Sequence, residues 1–473
     1  SHAEVWLDTV ECGIVCHPSL EGVAMRGAAA SPDALSRLAY ISPMPSRAPA
    51  SADEFESVLR RHVLAAWFPR CLDQEHGGFL CDFDRAWRPN GPHDKLLEFQ
   101  ARQTLTAAEA ARAYPEDAGL REATLHGFRY LRDVLWDRDA GGWFHLLTRN
   151  GTPKASATKH AHGAAYAIEA CVAVHHATGE PTALDLAREA FGWLDRYARD
   201  QQHGGYFGFL TRDGTVIRDP SQWSSNVDTI GTELGLKDAN VHSDLLETFV
   251  HLYRAWPDPT VAARLAEMLD IMSDRMVVPQ TGALHIFVTP DWRPIPHMAR
   301  AAYQCQTAYR ISIARDVVGD DGRLSGLACR MVDHALRYQR DRRGGFFYGG
   351  AGSEPRELQG SELQVRPRIW WVQVEALKAL LAMAQLAPER SDYRDAFEVQ
   401  WQYIRTHFLD ERYGGFFSSD IDGRRLRRLR LLATPAATMK GDMWKDASHD
   451  GRALLYCMQT LRARERGGGA GSC

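Results

Sequence analysis

The chain has 473 residues, 45% of them hydrophobic, which is enough for one large core or two modest ones. Its 56 basic and 60 acidic residues leave a formal net charge of −4, which excludes the basic footprint of a nucleic-acid-binding protein. Nine cysteines are scattered without zinc-ligand spacing, Cys12 and Cys16 forming only a C-x3-C. No run of eighteen apolar residues and no secretory leader is visible, so a reducing, cytoplasmic setting away from membranes is expected.

Residues 1–50 stand outside the pattern that follows and read as an N-terminal extension. A first helix is predicted over 53–67, opened by "SADE", a capping box in which Ser51 and Glu54 satisfy each other's backbone donors. The phrase "DQEHGGFLCDFD" comes next, at 73–84, followed by apolar residues at three- and four-residue spacing that predict helices over 96–114 and 119–136. The phrase then returns. "DRDAGGWFHLL" leads into helices over 159–178 and 182–198, and "DQQHGGYFGFL" into 238–256 and 259–277. The weaker "PQTGALHIF" precedes 302–318 and 324–340, and "DRRGGFFYGG" precedes 368–387 and 391–408. "DERYGGFFSSD" leads to a single closing helix over 448–464, and 466–473 read as a flexible tail.

The first glycines of these phrases are Gly77, Gly141, Gly204, Gly282, Gly344 and Gly414, at intervals of 64, 63, 78, 62 and 70 residues. Each interval holds two helices and their connections, so a repeat architecture is indicated before any motif is read. A solenoid would show polar capping repeats. Here the first and last helices are as apolar as the rest, so the first is expected to close onto the last. The expected fold over 51–465 is all-α, an (α/α)6 barrel with the helix after each glycine phrase in the inner ring. The glycine turns and the first turns of the inner helices then share one mouth.

Polar residues interrupt the apolar pattern near the starts of the inner helices. They include Arg102 in "EFQARQTL", Lys159, His160 and His162 in "KHAHGAAYAIEA", and Trp444, Lys445 and His449 in "MWKDASHDGRALL". Asn240, Asp244 and Glu247 are spaced to share one helical face, and Trp371 shares a face with Glu375, while Trp370 need not. His242 points roughly 200° away from Asp244 on a regular helix. "HAH" is a poor chelating geometry on a helix. The basic run "GRRLRRLRLL" at 423–432 reads as a solvated segment, or as the edge of a pocket for an acidic substrate. Arginine, histidines, carboxylates and tryptophans aimed at one mouth are costly to bury without function and suit a carbohydrate, whose apolar faces stack on rings.

With these residues in view, the chain resembles the N-acylglucosamine 2-epimerase superfamily, which takes in cellobiose 2-epimerases and mannose isomerases. The resemblance spans about residues 53–464. It rests on "GGF" with "QARQTL", "GLKDANVHSDLLETFVHLYRAWPDP", "FVTPDWRPI", "RIWWVQVEALKALL" and "WKDASHDGRALL". It implies an (α/α)6 barrel that moves the C2 proton of a reducing mono- or disaccharide through a cis-enediolate, giving the epimer or the ketose. Neither metal, nicotinamide nor flavin is implied, and the chain is expected as a monomer or homodimer whose partner is a small carbohydrate.

By resemblance, Arg102 matches the arginine on the oxygens near C1 and C2, His449 the catalytic histidine and Trp444 the tryptophan before it. Glu247 matches the glutamate of a His-x-x-Glu pair, and Trp370, Trp371 and Glu375 the substrate-lining segment. Three positions depart from the pattern. Asp244 stands where a histidine is expected, Tyr303 and Gln306 where His and Glu are expected, and His162 where a tyrosine is common. Asp244 is therefore the expected second base, with His162 or the nearby His242 as alternatives for that role, and His162 and Asn240 otherwise contact the substrate. Two other readings remain: a metal-assisted lyase using His160 or His162 with His242 and Asp244, and a barrel that binds carbohydrate without turnover. Substrate identity is expected to lie in the loops at 201–237 and 341–367.

Overall fold

The computed structural model describes residues 49–296, 298–341, 344–352, 368–420 and 439–468. The basic run at 423–432, most of the N-terminal extension and much of the 341–367 loop lie outside them.

Among the described residues, twelve α-helices of eight or more residues follow in chain order. They are α1 (Ala52–Leu59), α2 (Leu97–Ala113), α3 (Ala118–Tyr130), α4 (Ala161–Thr178), α5 (Pro181–Tyr197) and α6 (Ala239–Ala255), then α7 (Pro259–Asp270), α8 (Ala301–Val318), α9 (Arg323–Tyr338), α10 (Trp370–Leu386), α11 (Ser391–His407) and α12 (Ser448–Gly468). Helices α1, α3 and α7 run on through a wider turn at Arg60–Leu64, Leu131–Leu135 and Ile271–Met276, which accounts for the longer predicted spans. Ser51 Oγ accepts the Glu54 N–H at the start of α1, as the capping box requires. Helix α12 reaches Gly468, so the chain stays helical past the predicted start of the tail.

The even-numbered helices form the inner ring. Each packs against the next, in the order α2, α4, α6, α8, α10, α12, and α12 returns to α2. Helix α1 packs on α12 and completes the outer ring, so the barrel closes as expected. Inner helices touch neighbours on all sides and are buried along nearly their whole length: every residue of α10 from Trp370 to Ala384 is buried. Outer helices bury one stripe, as in α9, where Leu324, Leu327, Ala328, Met331, Val332 and Ala335 face inward.

The glycine phrases are turns at the mouth, and their recurring aspartate builds them. In the first, the Asp73 N–H donates to Gly78 O and the Gly77 N–H returns to Asp73 O, while Asp73 Oδ1 accepts the amides of Glu75 and His76. Gly77 has φ +79°, which a residue with a Cβ adopts only under strain. The same bonds recur at Asp137, Asp200 and Asp410. Each aspartate also holds a cation, a buried lysine in four turns and the half-buried Arg368 in the fifth repeat. Lys95, Lys159, Lys237 and Arg368 stand two residues before α2, α4, α6 and α10 and pair with Asp73, Asp137, Asp200 and Asp341; Lys440 pairs with Asp410. The fourth turn has Val278 at this position, which explains why its phrase reads weakly.

A second clamp joins turn to helix. The fourth residue of α2, α6, α8 and α10 is Gln100, His242, Gln304 and Gln373. Gln100 and Gln373 each accept the N–H and donate to the C=O of the aromatic after the glycines, Phe79 and Phe346. Gln304 donates to Gly282 O. His242 accepts the N–H of Tyr206, the aromatic after the third pair of glycines. One or both of these devices fix the starts of α2, α4, α6, α8 and α10 relative to the mouth, where the site lies.

Candidate active site

A cavity of about 670 Å³, counting its open mouth, sits over the inner-helix starts. Arg102 from α2, His162 and Tyr166 from α4, Asn240 from α6, and Tyr303 and Gln306 from α8 line it. So do Trp370 and Trp371 from α10 and His449 from α12, with Trp444 just ahead of α12. Every inner helix therefore contributes. Seven of the predicted residues are brought together here: Arg102, His162, Asn240, Trp370, Trp371, Trp444 and His449.

His449 Nδ1 lies 2.8 Å from Glu375 Oε1. A carboxylate only accepts, so Nδ1 carries the hydrogen and Nε2 of the neutral ring is left with the lone pair. Glu375 Oε2 is 3.0 Å from Lys378 Nζ. Burial pushes the Glu375 carboxyl up, but Lys378, the His449 hydrogen bond and Arg310 outweigh it and hold it well below the usual range. The Trp371 ring lies 5.4 Å from the His449 ring and limits its rotation.

His162 is held differently. Nδ1 is 3.1 Å from Glu98 Oε1, and Nε2 is 3.0 Å from Asp244 Oδ2. Burial alone would depress its pKa, but the hydrogen bonds and charges of Asp244 and Glu98 outweigh that and raise it to about 9. These two carboxylates favour the imidazolium form of His162 at neutral pH. The Arg102 guanidinium lies over the Tyr166 ring at 4.1 Å, 3.7 Å from Asp446 Oδ2 and 3.5 Å from His162 Nε2. Two cations thus meet the cavity side by side, their balancing carboxylates behind them.

Four predicted site residues stand off the cavity wall. Asp244, the expected base, is ion-paired to Arg310 and His162 and accepts the Tyr166 hydroxyl. Burial raises its carboxyl, but Arg310 and His162 bring it below the ordinary aspartate range, so it stays a carboxylate with its charge already matched. Glu247, one turn deeper on α6, accepts from Arg310 at 2.7 Å and from Arg452 at 2.9 Å. It belongs to a buried ion network along the barrel axis, where removing one partner costs about 3–5 kcal/mol. Glu375 orients His449 rather than facing the cavity.

His242 has both ring nitrogens engaged with backbone: Nε2 accepts the Tyr206 N–H at 3.0 Å and Nδ1 donates to Asp238 O at 2.7 Å. The ring packs so closely on the turn that a Cβ at position 205 would sit 2.7 Å from Nε2, so only glycine fits there. His160 caps α4 by accepting the His162 N–H, and its Nε2 meets Asp228. His160 and His242 are thus committed to backbone and to Asp228, and the donor set of the metal-assisted reading does not converge.

Sequence reasoning missed Tyr166, Ile230, Arg300 and Tyr348, all on the wall. Tyr166 carried a signal, standing one turn after His162 on the same face. Ile230 falls in the 201–237 loop, where specificity was expected. Arg300 immediately precedes α8, a position no spacing rule marks.

With this geometry in hand, comparison with known proteins gives a consistent result. The family model described as N-acylglucosamine 2-epimerase (GlcNAc 2-epimerase) matches residues 77–428. A cellobiose 2-epimerase of Bacteroides fragilis is 24% identical over 405 residues, 85% of this chain and 97% of that protein. A D-mannose isomerase of Thermobifida fusca is 22% identical over 301 residues, 62% of this chain and 69% of that protein. The solved cellobiose 2-epimerase of Bacillus thermoamylovorans B4167 superposes with a TM-score of 0.74 at 20% identity, covering 86% of this chain and 98% of that one. The chain belongs to the N-acylglucosamine 2-epimerase family of carbohydrate epimerases and isomerases.

Proposed function

We propose that the chain moves the C2 proton of a reducing sugar with one base, His449, and returns it to C1, acting chiefly as an aldose–ketose isomerase through a cis-enediolate. The observation that carries this reading is the contrast in hydrogen bonding: His449 keeps Nε2 for the substrate, while His162 is a charged ring held between two carboxylates. In the open-chain aldehyde, C2–H is acidified by the neighbouring carbonyl. His449 Nε2 takes that proton, and the electron pair moves into the C1–C2 bond as charge builds on the C1 oxygen. Arg102 and the His162 imidazolium supply the positive charge that such an oxyanion requires, in a wall that excludes much of the solvent. C1 and C2 of a cis-enediolate offer the same face to one base, so His449 protonates C1 and a proton passes from the C2 hydroxyl to the C1 oxygen. The ketose results. Trp370, Trp371 and Trp444 offer ring faces to the apolar side of the sugar, and Asn240 and Gln306 serve its hydroxyls.

A second reading, epimerisation at C2, is favoured by one observation. His162 is protonated at the cavity wall, and an acid on the other face of C2 is what inversion needs. The test is incubation of neutral mono- and disaccharides in deuterated water with NMR detection. Isomerisation predicts ketose with deuterium at C1; epimerisation predicts deuterium at C2 of the epimer. His449→Ala is expected to abolish both, and unchanged exchange in that variant contradicts the reading.

A further inference from the structure

We infer that Lys378 is a positioning residue that keeps His449 a base: it draws on the Glu375 carboxylate from behind and so limits how firmly Glu375 holds the protonated ring. This rests on the proton-transfer reading above, in which His449 takes the C2 proton. The first observation is a line of contacts. His449 Nδ1 is 2.8 Å from Glu375 Oε1, and Lys378 Nζ is 3.0 Å from Glu375 Oε2. Glu375 and Lys378 stand three residues apart on α10, so one helix sets the spacing of carboxylate and ammonium. Both side chains are buried, and salt screens such a pair far less than one at the surface.

The second observation is where Lys378 stands. It is not among the residues lining the active cavity. It lines instead a second cavity of about 720 Å³, counting its open side, together with Glu109 of α2, His251 of α6 and Arg452 of α12. Glu109 and His251 belong to the last turns of their helices, so this cavity lies beyond the active one, away from the mouth. The Lys378 ammonium is 4.3 Å from the centre of the Tyr309 ring on α8. It therefore reaches Glu375 from the side remote from the sugar, and acts on the substrate only through Glu375 and His449.

The third is the contrast with His162. Glu98, behind that ring, has its other oxygen 3.4 Å from His145 Nδ1. Burial pushes His145 down to about 4, so at neutral pH it is an uncharged ring and draws little on Glu98. Asp244, on the other side of His162, is shared with Arg310. The difference between the two histidines therefore falls on the second oxygen of one glutamate: a neutral imidazole at Glu98, an ammonium at Glu375. The other titratable and charged groups around this line are Arg102 of α2, Glu247 of α6, Cys305 and Arg310 of α8, and Asp446 and Asp450 beside the start of α12. All of them stay in place in the variants below, so a shift between variants reads Lys378.

The test reads protonation and turnover separately on the full-length protein. Histidines are isotopically labelled at Cε1, and the His449 signal is assigned by its loss in His449→Ala. It is then titrated by NMR in wild type, Lys378→Met and Lys378→Arg. Without the ammonium, Glu375 holds the imidazolium alone, so the titration in Lys378→Met is expected about one pH unit above that of wild type. Lys378→Arg, which keeps the charge, is expected to bring it back toward wild type. The acid limb of kcat/KM for C2–H exchange on neutral aldoses moves with it: Lys378→Met loses about 10-fold on that limb and recovers at higher pH. Should Lys378→Met not fold, Lys378→Gln removes the charge while keeping a donor to Glu375, and reads the same shift. A His449 titration that stays where it is in the uncharged variants, with activity lowered equally at every pH, overturns the proposal and leaves His449 as the base. Full exchange in His449→Ala overturns the proton-transfer reading instead, and the titration still decides what Lys378 does to the ring.

Discussion

Two histidines face one cavity, and the difference between them lies in what stands behind each ring. His162 has a carboxylate at each nitrogen, Glu98 and Asp244, and is held protonated with a pKa of about 9. His449 has one, Glu375, whose charge it shares with Lys378. A ring with both nitrogens occupied can supply charge and a proton; a ring with one nitrogen occupied can take a proton away. The comparison teaches that residue type alone does not assign a role here. The number of carboxylates behind a histidine does.

The sharpest way to break the contrast is His449→Ala. C2–H exchange is expected to fall by about two to four powers of ten or more, the scale of a lost general base. His162→Gln is expected to remain folded with a smaller loss, because it removes charge from an oxyanion rather than the base. If the two losses come out reversed, the roles are exchanged.

A pH series sharpens the same contrast through stability. The folded pKa of His162, about 9, lies above the unfolded value of about 6.5, so its ion pairs stabilise the fold fully below about pH 6.5. That contribution is lost as pH rises through about 9. The shift corresponds to at most about 3 kcal/mol. Denaturant unfolding of the wild type is expected to weaken across this window, and Asp244→Asn and His162→Gln to show a flatter profile. A wild-type stability that rises from pH 6.5 to 9 would contradict the charged assignment of His162.

Arg102→Lys keeps the charge and removes the planar fork. A loss of about 1–3 kcal/mol in apparent transition-state binding is expected, read as kcat/KM. Near-normal turnover would remove Arg102 from the reacting oxygens. The smallest effect belongs to His242→Gln. Glutamine already stands at that place in α2, α8 and α10, so activity within about threefold of wild type and a stability change below about 1 kcal/mol are expected. A hundredfold loss of exchange would return His242 to the chemistry.

The fold was legible because its period is written into the chain. Each glycine phrase marks a turn, and each interval holds two helices, so architecture follows from counting. The aspartates and lysines of the turns were equally visible, in "DQEHGG" and in the Lys two residues before α2, but their pairing joins two parts of a repeat and no single motif contains it. The site was legible where one helix carries the signal, as with His449 in "WKDASHDGRALL" or Trp371 on the face of Glu375. It was not where the partner comes from elsewhere. Asp244 reads as a base on α6 alone; its commitment depends on Arg310 of α8 and His162 of α4. His242 reads as a candidate near Asp244, though its direction on the helix already suggests that it orients a loop; alignment with Gln100, Gln304 and Gln373 identifies which turn it holds. Arg300 and Tyr348 reach the cavity from a strand pair at the mouth, so their approach depends on ring closure.

The central claim is that one base serves both C1 and C2. It is tested most directly with an aldose carrying deuterium at C2, turned over in ordinary water and quenched early. The account predicts ketose in which part of the deuterium has moved to C1, since the same imidazole that removes it can return it before exchange with solvent. A product that is only the C2 epimer, with C2 hydrogen drawn wholly from solvent, would contradict it.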